Sequence, residues 1–140
     1  MGTNFMGDIP GTRIETKHTS LHAAATATEQ RVLFVAPYDI TLTSVGFAVD
    51  VAVTGTDTNY TSLELIDGGS AGAGTTEIGN LDLASGTDLA AVTASEVLGV
   101  AGAGTDANLD SGDYLLVQYT KVANGLLVGA GSWIITFRPQ

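Results

Sequence analysis

The chain has 140 residues, of which 44% are hydrophobic and only 14% charged, with a formal net charge of −10 and no cysteine. That length fits one domain with a real core, and the missing thiols exclude disulfides and thiolate metal sites. The charge is unevenly placed. Through Arg31 three bases and three acids cancel, whereas from Val32 onward only Lys121 and Arg138 oppose twelve acids. An acidic body argues against direct binding of nucleic acid, whose affinity comes from Lys and Arg at phosphates, and against anionic membranes.

Residues 1–17 carry Gly2, Gly7, Pro10 and Gly11 among the isolated apolar residues Phe5, Met6, Ile9 and Ile14. No periodicity is long enough for a helix. The segment reads as an extended N-terminal arm that turns into a strand near residues 12–17, with the domain proper over 18–140. Its start lacks the basic n-region and continuous apolar run of a signal peptide, and no stretch reaches the roughly 18 apolar residues of a membrane span. Residues 18–30 hold a run of alanines. The interleaved Thr26 and Thr28 favour strand and loop over helix. Residues 31–35 read as a buried strand ended by Ala36-Pro37, since Pro cannot donate to a ladder.

Residues 40–66 are the clearest stretch, read as a long, bent pair of strands joined by a polar connection. Ile40 and Leu42 alternate with threonines, then Val45, Phe47 and Val49 alternate with small residues. The step from Leu42 to Val45 is three residues, which changes the parity of the inward face. A β-bulge near Thr43-Ser44 absorbs the extra residue.

A glycine-rich loop over 67–76 follows, then a short strand over 77–84 and an irregular strand within 87–100. Residues 106–113 are rich in Asp, Asn and Gly, which is turn chemistry. Residues 114–120 alternate Leu115, Val117 and Tyr119 on one face. Asn124-Gly125 is a type I′ hairpin signal leading into a last strand over 126–138. About eight strands at regular spacing, with no convincing helix, predict an all-β antiparallel sandwich, jelly-roll-like.

Residues that do chemistry are scarce. His18 and His22 are the only histidines. On a strand they share a face but lie too far apart to chelate one ion, and no third ligand is near. No Gly-x-Ser-x-Gly elbow is present, and the glycine-rich loops lack the Gly-Lys-Ser/Thr of a phosphate cradle. Asp106, Asp110 and Asp113 do not follow calcium-loop spacing. Trp133 alternates with Ile135 and Phe137, the pattern of a core residue. No catalytic group, cofactor or metal site is expected.

The run from Ile40 to Leu83 resembles small virion proteins of tailed bacteriophages. It carries Thr43-Ser44-Val45-Gly46-Phe47, then Asp57-Thr58-Asn59-Tyr60, then Gly74-Thr75-Thr76, a pattern similar to that of head decoration (capsid cement) proteins and some capsid-associated fibres. The resemblance spans about 36–137 and leaves the arm outside it. It implies a jelly-roll-like subunit, often a homotrimer, that sits on the surface of an assembled capsid and strengthens it. The partner would be the major capsid protein, and the location the virion, after assembly in the host bacterial cytoplasm.

The expected function is therefore capsid decoration by binding energy alone, without enzymatic activity. Phe5, Met6, Ile9 and Ile14 are the apolar candidates for capsid or subunit contact, with Arg13, Lys17 and Arg31 as polar anchors. The alternative is a host-glycan adhesin or fibre domain using exposed aromatics and loop acids. A hydrolase would need a histidine that converges on a nucleophile and an acid.

Overall fold

A computed structural model describes residues 11–22, 28–98 and 107–140. Among them are nine strands and no α-helix: β1 Arg13–Thr19, β2 Glu29–Val35, β3 Ile40–Val49, β4 Thr61–Asp67, β5 Thr76–Asp82, β6 Ala94–Leu98, β7 Asn108–Leu109, β8 Tyr114–Lys121 and β9 Gly131–Pro139. They form two antiparallel sheets. One runs β1-β9-β3-β6, with the two-residue β7 also on β3; the other runs β2-β8-β4-β5. Leaving β7 aside, the eight strands are distributed between the two layers in the order of a jelly roll, as expected from the strand spacing.

The core lies between the sheets and draws on both. Ile40, Leu42, Val45, Phe47 and Val49 of β3 are fully buried, as are Leu63 and Leu65 of β4, Leu115 and Val117 of β8, and Trp133 and Ile135 of β9. Phe47 stacks on Trp133 with centroids 4.6 Å apart, and Phe34 of β2 meets Phe137 of β9 across the layers at 5.0 Å. The parity change in β3 is the anticipated bulge: its register against β9 slips between Leu42 and Ser44. Thr43 is the extra residue, and its hydroxyl donates to the Thr136 carbonyl at 3.1 Å.

Three expectations need correction. First, β3 and β4 do not pair. β3 lies between β9 and β6, and β4 between β8 and β5, so the polar connection after Val49 crosses from one sheet to the other. Second, the turn around Asn124 joins no hairpin. Ala123 and Gly125 have positive φ and Gly125 N donates to Val122 O, so the chain does reverse. It then leaves β8 for the opposite sheet, because both edges of β8 are already taken by β2 and β4. The hairpin within a sheet is β4–β5, closed by the glycine-rich loop. Third, β2 is an outer strand in which Leu33 is the only buried residue, not a fully buried one.

The strand expected near residues 12–17 is β1, paired along its whole length with β9. The sheet therefore begins inside the segment assigned to the arm. Residues 1–10 of that arm, with Phe5, Met6 and Ile9, lie outside the described residues, as do the second AGAGT string and Asp106.

Candidate functional site

Where β1 meets β2 and β8, the chain brings together a set of polar side chains. Thr19 ends β1 pointing inward. Its hydroxyl accepts the Trp133 indole N–H at 3.2 Å and lies 3.5 Å from the Tyr119 hydroxyl. His22, held by a backbone bridge to Val128, stacks on the Tyr119 ring at 4.5 Å. Its Nδ1 is 2.9 Å from Glu29 Oε2, while Glu29 Oε1 accepts from Arg31 Nε at 2.8 Å. The Arg31 guanidinium lies 5.0 Å from the Tyr119 centroid and also donates to the carbonyls of Ser20 and Leu21.

The electrostatics follow from that geometry. The Arg31 guanidinium, and after it the His22 imidazole, hold the Glu29 carboxyl below its ordinary range by hydrogen bonds that favour the charged form. His22 Nε2 is buried without a hydrogen-bond partner. A carboxylate orienting a histidine is half of a hydrolytic triad, but here the far nitrogen meets neither a hydroxyl nor solvent. The cluster ties the strand ends together.

The other candidates resolve in the same direction. His18 is exposed on β1 and lies 3.6 Å from Asp50, away from His22. No group of three or more potential metal ligands occurs among the described residues. Asp113 accepts from the Asp110 N–H, and Asp39 from the Ser111 N–H, so these two carboxylates cap the turn before β8. Trp133 and Tyr119 are buried and so belong to no exposed sugar-binding face, whereas Tyr60 and Tyr114 are half-buried.

Of the contact candidates, Ile14 is 65% exposed, Lys17 is exposed on the opposite face of β1, and Arg13 is half-buried at the strand's start. The Arg31 donors are engaged within the chain, as described above. Composition did not reveal a cleft of about 380 Å³ at the end of the sandwich where β3 stops. It is walled by Leu21, Val51, Val53 and Leu127 with Asp50 at its side, and Val51 is 71% exposed. The signal was present as apolar residues inside turn-like segments, but such residues do not say that three separate connections converge.

Within Asp57-Thr58-Asn59-Tyr60, Asn59 and Tyr60 form a brace. Thr56 Oγ1 donates to Asn59 O at 2.6 Å, and Asn59 Oδ1 accepts Asn124 N–H at 3.2 Å. Tyr60 O accepts from Val122 N–H at 2.8 Å. The Thr61 hydroxyl then both accepts from Leu126 N–H and donates to Leu126 O. The β3–β4 and β8–β9 connections are thus fastened to each other.

No family model matches the chain, and no curated protein does. Among solved structures, one of the infectious bursal disease virus Gx strain is similar over 91% of this chain at 16% identity, with a TM-score of 0.40. This chain spans 32% of the length of that one. A likeness at that level sets no functional expectation.

Proposed function

We propose that this protein is a structural component of a virion, a decoration protein that binds the outside of an assembled bacteriophage capsid through the major capsid protein and stabilises it. It acts by binding and not by catalysis, as a homo-oligomer, a trimer in the family its sequence resembles. The observation that carries this reading is the strand order, β1-β9-β3-β6 over β2-β8-β4-β5, because a jelly roll is the fold which that resemblance implies. The distinctive residues 57–60 support it further. Asn59 and Tyr60 among them brace two connections, which is a structural use of the most distinctive part of the pattern.

A multivalent subunit also needs little from each contact. When one oligomer touches several capsid subunits, the second contact forms at a high effective concentration and modest affinities multiply. The net charge of −10 keeps free copies soluble before they meet the particle.

The test is binding to purified phage heads, followed by thermal rupture of the particles with and without the protein. Saturable binding that raises the rupture temperature is the expected result. A protein that stays monomeric and leaves heads unbound would overturn the proposal.

A further inference from the structure

β1 is the outer strand of its sheet. Among the described residues it pairs with β9 alone, from Arg13 opposite Phe137 to Thr19 opposite Gly131. Every side chain from Ile14 to His18 is exposed, on both faces of the strand. Among the described residues no strand lies on its other side, and such an outer edge of backbone donors and acceptors is a template for another strand.

The strand's own sequence specifies which strand fits. Thr19 points inward, so alternation puts Lys17 and Glu15 on its face and His18, Thr16 and Ile14 on the other. Two copies related by a two-fold axis perpendicular to the sheet would pair β1 antiparallel, with like faces on the same side. That restricts the register to those centred on a residue.

Three centres keep most of the strand. Centring on Glu15 sets that acid against itself and Arg13 against Lys17. Centring on Lys17 sets that base against itself. Centring on Thr16 uses all seven residues, sets Glu15 of each copy opposite Lys17 of the other, and places the exposed Ile14 opposite His18. Opposite charges directly across a strand pair stabilise it and like charges oppose it. The register of full overlap is therefore also the one in which the charges match.

We propose that two copies of this chain join by antiparallel pairing of β1 with β1, centred on Thr16, so that the sheet continues across a two-fold axis. A lysine on an outer strand ordinarily deters such pairing. Here each Lys17 meets an acid supplied by the second copy. The contact also falls where the chain is charge-balanced, away from the acidic body that would repel another copy. It joins pairs of copies whether each is a single chain or one member of a trimer, and it stands apart from the capsid reading: copies that pair this way yet ignore phage heads would overturn only the latter.

The chain has no cysteine, so single cysteines report the register directly. In the full chain under mild oxidation, Thr16→Cys sits opposite itself and forms a covalent dimer. Glu15→Cys alone does not, because its own counterpart lies two residues away along the strand, beyond disulfide reach. A mixture of Glu15→Cys and Lys17→Cys forms the mixed disulfide. Charge reversal supplies an independent readout. Glu15→Lys and Lys17→Glu each self-associate less than the natural chain, on the order of tenfold for two inverted pairs, whereas an equimolar mixture of the two regains association. Equal cross-linking at positions 15 and 16, no cross-linking at either, or charge variants that associate like the natural chain would each overturn the proposal.

Discussion

The imidazole of His22 lies flat against the ring of Tyr119, with 4.5 Å between centroids and 19° between planes, while its Nδ1 is 2.9 Å from Glu29. This one contact joins the link after β1, the outer strand β2 and the central strand β8. It makes the Glu29 charge a part of how the two sheets are held at their open side.

Stability should therefore depend on the ionisation of Glu29. Its carboxyl is held below the ordinary value of 4.5, first by Arg31 and then by His22. A lowered carboxylate contributes stability that is present above that ordinary value and is lost as pH falls through the folded one. Glu29→Gln should cost about 1–2 kcal/mol at pH 7. The gap between variant and natural chain should narrow in acid below the normal carboxylate range. Urea unfolding at several pH values measures this, and a gap independent of pH would contradict the assignment.

Thr19 offers a second test in the same region. Its hydroxyl is the acceptor for the buried Trp133 N–H at 3.2 Å and sits at the longer distance of 3.5 Å from Tyr119. Thr19→Val keeps the shape and strands the indole donor, which should cost about 1–3 kcal/mol. Tyr119→Phe removes only the longer contact and should cost less. The order of the two in thermal unfolding checks which bond matters.

Gly131 is required by closeness and not by backbone angle. A Cβ there would stand 2.5 Å from the Ala48 carbonyl oxygen and 2.7 Å from the Phe47 ring, against the ring that stacks on Trp133. Gly131→Ala should destabilise by about 1–3 kcal/mol through overpacking. Gly86→Ala has open space and should suffer only from its positive φ. Denaturant midpoints of the two variants separate the effects.

Val92 points the other way. It is 82% exposed and has a φ of 51°, a left-handed conformation that a β-branched residue adopts only under strain. Val92→Gly should relieve that strain and raise stability by on the order of 1 kcal/mol, despite the greater freedom of glycine when unfolded. A lower melting temperature would show that Val92 is held there by something other than its neighbours in the chain.

Local pattern sufficed wherever the physics is local. Alternation along 40–49 named every fully buried residue of β3, and the three-residue step from Leu42 to Val45 located the bulge, because side-chain parity in a strand is a property of the chain alone. The core faces of β8 and β9 followed from the same period of two. The internal engagement of Arg31 was not legible, since its partners Glu29 and Tyr119 include one that is 88 residues away.

What tertiary structure decided is which strand lies beside which. Asn124-Gly125 marks a reversal, but a turn does not record whether the returning strand pairs with the one just left or crosses to the other sheet. The glycine-rich loop after Asp67, with weaker turn chemistry, closes the hairpin that Asn-Gly does not. Burial of two half-apolar sheets against each other settled that choice, since each strand had to present its apolar face to a common core, and the central strands β8, β4, β9 and β3 had to meet their hydrogen bonds on both sides. The same packing left β1 with β9 as its single partner strand among the described residues, and brought Leu21, Val51 and Leu127 from three connections into one cleft. By itself the sequence determined which residues face inward; only the assembled sandwich decided which edges and apolar residues remain for a partner.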